Sequence, residues 1–145
     1  MRIQFVTSPE VSIIIPCLNE EKHIGNVIKA IARQTFSLDN MEVLIADGGS
    51  KDKTREIIQS KINEFPELSI KIIDNPKKII PAALNQAIMA SKGEMIIRMD
   101  AHAIPDENYV KYWHIDHVIP CAKFNVSEVE EQQICFHWTN LCPMV

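Results

Sequence analysis

Apolar residues in this chain come in short dense runs that alternate with stretches of helical periodicity. Val11-Ser12-Ile13-Ile14-Ile15-Pro16 is nearly continuous β-branched sequence, the pattern of a strand buried on both faces of a parallel sheet. Ile24, Val27, Ile28 and Ile31 follow at helical spacing, which predicts a helix over 20–34 with one buried face. Asn19 is placed to cap it, and Glu20 and Glu21 fall in the first turn, where the helix dipole favours anions. Residues 41–46 read as a second strand ending at Asp47-Gly48-Gly49-Ser50. Ser50 or Asp52 then caps a second helix through Phe65, packed by Ile57, Ile58 and Ile62. Residues 68–74 make a third strand, stopped by Asn75-Pro76 because proline lacks an amide donor and restricts its predecessor. Pro81 suits the first turn of a third helix over 81–91, with Leu84, Ala87 and Ile88 facing inward. Gly93 fits the carboxyl-terminal cap of that helix, and 94–99 is the fourth strand.

Strands and helices alternating through short connections demand right-handed crossovers. The expected fold class is therefore α/β: a Rossmann-like, mostly parallel sheet with helices on its faces. Such sheets bind ligands at the carboxyl ends of their strands. That edge carries Pro16-Cys17-Leu18-Asn19-Glu20, Asp47-Gly48-Gly49-Ser50 and Asp100-Ala101-His102. Asp47 sits where glycines let the backbone turn tightly, and a carboxylate there can accept a hydrogen bond from a pyrimidine N–H. Asp100 and His102 are too few for a protein-only metal cage. A divalent cation held by them needs phosphate oxygens to complete its shell, as Mg²⁺ or Mn²⁺ does.

Composition narrows the possibilities. The chain has 145 residues, is 46% hydrophobic and carries a net charge of −4. That suits one ordinary core and argues against general affinity for nucleic acid. No apolar run reaches the length of a membrane span, the first seven residues do not resemble a signal peptide, and a cytoplasmic location follows, including the cytoplasmic face of a membrane. Cys17, Cys121, Cys135 and Cys142 then read as reduced thiols. Residues 109–145 hold six of the nine aromatic residues, three of the four cysteines and three of the five histidines. The shift places a boundary near 110, dividing the chain into 1–110 and 111–145.

Over roughly residues 10–110, the motifs Val11–Glu21, Ile45–Thr54, Ala83–Ala87 leading to Gly93-Glu94, and Arg98–His102 resemble the nucleotide-binding half of the family 2 glycosyltransferases. That resemblance implies a truncated A-type glycosyltransferase fold and transfer of a sugar from a nucleotide-diphospho-sugar, with a UDP-sugar favoured, to a glycan or lipid-linked acceptor in polysaccharide or glycoconjugate synthesis. It also implies that Pro16, Leu18 and Glu20 line the nucleoside site, that Asp47 reads the base, and that Asp100 and His102 place Mn²⁺ or Mg²⁺ on the diphosphate. Gly48 and His102 stand where the family more often has acidic residues. The acceptor half, which supplies the family's catalytic base, has no counterpart after Tyr109.

The tail has a different look. Asp116-His117-Val118-Ile119-Pro120 and Thr139-Asn140-Leu141-Cys142-Pro143 resemble an incomplete HNH endonuclease motif. By that resemblance His117 would be the general base, Asp116 a metal ligand and Asn140 the residue orienting the histidine, with nucleic acid as partner. Charge weighs against it: Lys111 and Lys123 face Asp116, Glu128, Glu130 and Glu131, a poor footprint for DNA. A third reading is a nucleotide-sugar-binding module without turnover.

Overall fold

The structure, a computed structural model, describes residues 8–116. Its elements are β1 (Val11–Cys17), α1 (Ile24–Ala32), a 3-10 turn (Leu38–Asn40), β2 (Met41–Asp47), α2 (Thr54–Glu64), β3 (Ser69–Asp74), α3 (Ile80–Ala90), β4 (Met95–Arg98) and α4 (Tyr109–Asp116). The four strands form one parallel sheet in the order β3-β2-β1-β4. The chain steps outward from β1 to β3, then crosses back over β1 to lay down β4. The strand order therefore reverses between β1 and β4, the place where an open α/β sheet offers a crevice.

Both faces of the sheet are covered, which is why β1 and β2 lack polar alternation. Ile13, Ile15, Val43 and Ile45 pack with Ile24, Val27, Ile28 and Ile31 of α1 and Ile58 of α2 on one face, where Val110 of α4 is also buried. Ile14, Leu44 and Ile96 meet Ala83, Leu84, Ala87 and Ile88 of α3 on the other.

Helix starts differ from the sequence expectation. α1 begins at Ile24 with no side-chain cap, because Asn19 adopts a left-handed φ of 52° and spends its side chain on the neighbouring loop. Each buried Ile or Val contributes about 1.5–3 kcal/mol of apolar burial, enough for α1 to form without a cap. Neither Ser50 nor Asp52 is the N-cap residue of α2, which is Lys53, although Asp52 Oδ1 accepts the Thr54 N–H at 3.0 Å from one position further out.

Gly93 is not the cap of α3, which ends on Ser91. Its role is close approach to β1: a Cβ there would lie 2.5 Å from Ser12 Oγ and 2.8 Å from Val11 C. The Gly93 N–H donates to Ser12 Oγ at 2.8 Å, and Ser12 Oγ donates to the buried Glu42 carboxylate at 2.6 Å. Glu42 also accepts the Lys92 N–H. One polar seam thus joins the starts of β2, β1 and β4 inside the core, every member bonded, as burial of polar groups requires.

β4 is shorter than its neighbour. It pairs with β1 only as far as Ile14 and Arg98, and the Met99 N–H still reaches Ile14 O at 3.0 Å. β1 and β2 continue together to Cys17 and Asp47. Backbone groups of successive strand residues alternate sides, and Ile14 O faces β4 whereas Cys17 O accepts from Gly48 on the β2 side. Pro16 therefore turns its missing donor toward the side β4 has left, where no ladder bond is lost.

His117 and Asn140 of the nuclease-like motif lie outside the described residues, as do the side chain of Asp116 and nearly all of the expected 111–145 segment.

Candidate functional site

Where β4 falls short, a cleft of about 350 Å³ opens at the carboxyl edge of the sheet. Pro16, Cys17 and Leu18 come from the end of β1, Glu20 from the loop before α1, and Asp100, Ala101 and His102 from the turn after β4. Asn75, Lys78, Ile79, Ile80 and Ala83 supply the opposite wall from the β3–α3 connection. Five of the six expected site residues, Pro16, Leu18, Glu20, Asp100 and His102, thus converge.

Asp100 and His102 are both more than half exposed, at 55% and 62%. His102 Nδ1 lies 3.5 Å from Glu20 Oε1, and its ring meets His23 edge-on with centroids 6.3 Å apart. Asp100 Oδ1 is 3.5 Å from an Arg98 nitrogen, an exposed pairing of small energetic weight. Among the described residues no three His, Cys, Asp or Glu side chains converge as a metal cage. One carboxylate and one imidazole open to a cleft fit a partial site, in which a ligand's oxygens complete the coordination.

Asp47 is placed differently. Its side chain is fully buried and does not line the cleft. Oδ2 accepts the Gly49 N–H at 3.1 Å, the Ser50 N–H at 3.0 Å and Arg55 Nε at 2.7 Å, while Oδ1 accepts the Ser50 hydroxyl. Burial alone would raise its pKa, but the Ser50 hydrogen bonds and the Arg55 guanidinium outweigh this and hold the carboxyl below the usual range. Arg55 also bonds Asp74, the register partner of Asp47 on β3, and so separates two carboxylates that would otherwise repel. Gly49, at φ 86°, makes the turn affordable sterically.

The loop bearing Glu20 is tied to this turn. The N–H groups of Asn19, Glu20 and Glu21 donate to Ser50 Oγ (2.8 Å), Thr54 Oγ1 (2.8 Å) and Asp52 Oδ2 (3.2 Å). In return Asn19 Oδ1 accepts the Lys51 N–H at 2.9 Å and Glu21 Oε2 the Lys53 N–H at 3.0 Å.

Cys17 lies at the cleft floor without being a nucleophile. Burial, then the charges of Asp47, Glu20 and Asp52, push its thiol up to about 12, so the thiolate is absent at neutral pH.

Sequence reasoning missed the β3–α3 wall. Asn75 is 3% exposed; its N–H donates to Asp47 O at 2.9 Å and its Nδ2 to Ile79 O at 3.1 Å. Its Oδ1 is a buried side-chain atom with no partner. Lys78 holds a left-handed φ of 60°, and its ammonium has no ion-pair partner among the described residues. The available signal was Asn75-Pro76-Lys77-Lys78, which reads as a strand stop and conceals its chemistry.

An open parallel α/β sheet with a cleft at its strand-order reversal is the architecture in which ligands bind at the carboxyl ends of the strands. The Glycosyl transferase family 2 pattern matches residues 12–113, and the chain belongs to that family. It is 41% identical over 106 residues to the succinoglycan biosynthesis protein ExoA of Rhizobium meliloti, covering 72% of this chain and 31% of that protein. It is 37% identical over 101 residues to a dolichyl N-acetyl-alpha-D-glucosaminyl phosphate 3-beta-D-2,3-diacetamido-2,3-dideoxy-beta-D-glucuronosyltransferase of Methanococcus voltae, covering 70% and 32%. Among solved structures, the mannosyltransferase PcManGT of Pyrobaculum calidifontis, in complex with GDP-Man and Mn²⁺, superimposes with a TM-score of 0.65 at 27% identity, over 70% of this chain and 30% of that one. The chain spans about a third of the length of the curated relatives it matches. Among the described residues no helix is long and apolar enough to cross a membrane.

Proposed function

We propose that the cleft binds a nucleotide-diphospho-sugar, with UDP as the favoured nucleotide, for glycosyl transfer to a glycan or lipid-linked acceptor. The observation that carries this is the convergence on one cleft of the Asp100–His102 pair and Glu20 with Lys78, which has no ion-pair partner among the described residues, and Asn75, whose buried Oδ1 has no partner. Its volume falls within the ~300–1,000 Å³ of small-molecule sites. The protein similar to this chain that was solved with GDP-Man and Mn²⁺ supports the same ligand class.

In this reading Pro16 and Leu18 give the nucleoside an apolar bed. Asn75 Oδ1 is buried beside the cleft, and a small shift of the β3–α3 wall would let it accept an N–H or O–H from the nucleoside, the role expected of Asp47, whose oxygens are committed to the turn. Lys78 offers its ammonium to the diphosphate. Asp100 and His102 would hold Mn²⁺ or Mg²⁺, which supplies positive charge to the departing nucleotide diphosphate. Glu20 orients His102 from the other side of the cleft.

Titration of UDP into the protein with and without Mn²⁺ tests the reading. Mn²⁺ is expected to tighten binding in the wild type and to do so no longer in Asp100→Ala. Asp47→Ala weakens UDP under both conditions by loosening the turn. Binding that ignores Mn²⁺ and both substitutions refutes the assignment.

A further inference from the structure

We infer that Asp52 and Thr54 are positioning residues for the cleft, acting through the backbone of Glu20. The inference rests on the nucleotide-sugar reading above and extends it to a part of the chain that touches no ligand.

Asn19 turns the chain with a left-handed backbone, so the amides of Asn19, Glu20 and Glu21 point away from their own segment. All three find acceptors on side chains more than thirty residues further on, and of the three the Glu20 amide is the half-buried one, for which an acceptor matters most. Thr54 is fully buried at the first residue of α2. A hydroxyl there would ordinarily serve its own helix, yet Asp52 Oδ1 already accepts the Thr54 N–H. The Thr54 hydroxyl donates to the same Oδ1 and accepts the Glu20 N–H at 2.8 Å. Asp52 Oδ2 takes the Glu21 N–H.

The other side of Glu20 is fixed too. Its carbonyl accepts the His23 and Ile24 N–H groups at 3.0 and 2.9 Å, starting α1. With its backbone held at both ends, Glu20 has its carboxylate set at the cleft, 3.5 Å from His102 Nδ1. The chain of contacts runs from Asp52 through Thr54 and Glu20 to His102. It gives the Asp-Lys-Thr sequence after the glycine turn a task that neither fold nor ligand contact explains.

The test is a double-mutant cycle in the full chain, with UDP and Mn²⁺ measured calorimetrically well below the melting temperature. Thr54→Val keeps the shape and deletes the hydroxyl; binding is expected to weaken roughly tenfold, the equivalent of one buried hydrogen bond. Thr54→Ser restores binding to within about twofold, because it restores the same bond. Asp52→Ala, at a partly exposed position, reproduces the loss without touching the buried threonine. In a Glu20→Ala background, Thr54→Val costs nothing further. Amide exchange at Glu20 accelerates in Thr54→Val and not in Thr54→Ser, a signature that global destabilisation would not confine to one loop. Thr54→Val binding UDP like wild type, or weakening it by the same factor with and without Glu20, overturns the inference alone. Wild type that binds no UDP with or without Mn²⁺ overturns the nucleotide reading as well.

Discussion

Replacing Asn75 by alanine should leave stability nearly unchanged while weakening ligand affinity. Asn75 is buried, bonds Ile79 O through Nδ2, and leaves Oδ1 without a partner. An orphaned buried acceptor costs about 1–3 kcal/mol, and a satisfied neutral hydrogen bond contributes about 0.5–1.5 kcal/mol. Removing the side chain relieves the first, forfeits the second, and adds a small cavity cost of about 1 kcal/mol. These nearly cancel, so the unfolding free energy should change by no more than about 1 kcal/mol. Binding has no such compensation. A nucleoside donor that satisfied Oδ1 loses that bond, and UDP should bind roughly tenfold more weakly. Urea unfolding gives the first quantity and calorimetric titration the second. Unchanged affinity for UDP refutes the argument, as does a parallel drop in stability beyond about 3 kcal/mol, which would mark Asn75 as a simple structural residue.

Gly93→Ala should destabilise the protein by about 2–4 kcal/mol, from a Cβ driven against β1 together with disturbance of the Ser12–Glu42 seam. A urea midpoint unchanged from wild type would show that β4 can shift to make room. Lys78→Gly relieves the left-handed backbone and should stabilise by about 1 kcal/mol, yet weaken UDP while leaving uridine binding intact; equal loss for both ligands would exclude a phosphate contact. Asp47 has a folded-state pKa below its ordinary value, so its contribution is full above the unfolded-state pKa and is lost as pH falls through the folded one. Wild type should therefore weaken progressively below about pH 4, and Asp47→Asn should flatten that slope in urea titrations across pH; an unaltered slope counts against the turn lock.

The order of elements was legible because the physics that builds them is local. β-branched runs such as Val11–Ile15 and the repeat Ile24, Val27, Ile28, Ile31 announce a doubly covered strand and a one-faced helix. The edge bearing Glu20, Asp100 and His102 followed from topology alone. Hydrogen-bond allegiance was not legible. Asn19 looks like a helix cap and Gly93 like a helix end, yet each answers to a residue at least thirty positions away, Lys51 for one and Ser12 for the other. Asp47 had the right strand and the wrong neighbourhood, since nothing in its local sequence reveals that Ser50 and Arg55 use up its oxygens. Asn75 and Lys78 were hidden behind a proline that explained the turn too well.

The ledge left where β1 outruns β4 has a practical corollary for anyone reshaping this protein. Its depth is a matter of how many residues each strand keeps before peeling off, not of which side chains decorate the rim. Swapping Leu18 or Ile80 would retouch the walls; lengthening β4 by three residues, so that it follows β1 to Cys17, would fill the hollow with main chain. Pro16 stands guard against that outcome, because a longer β4 would find no amide there to bond.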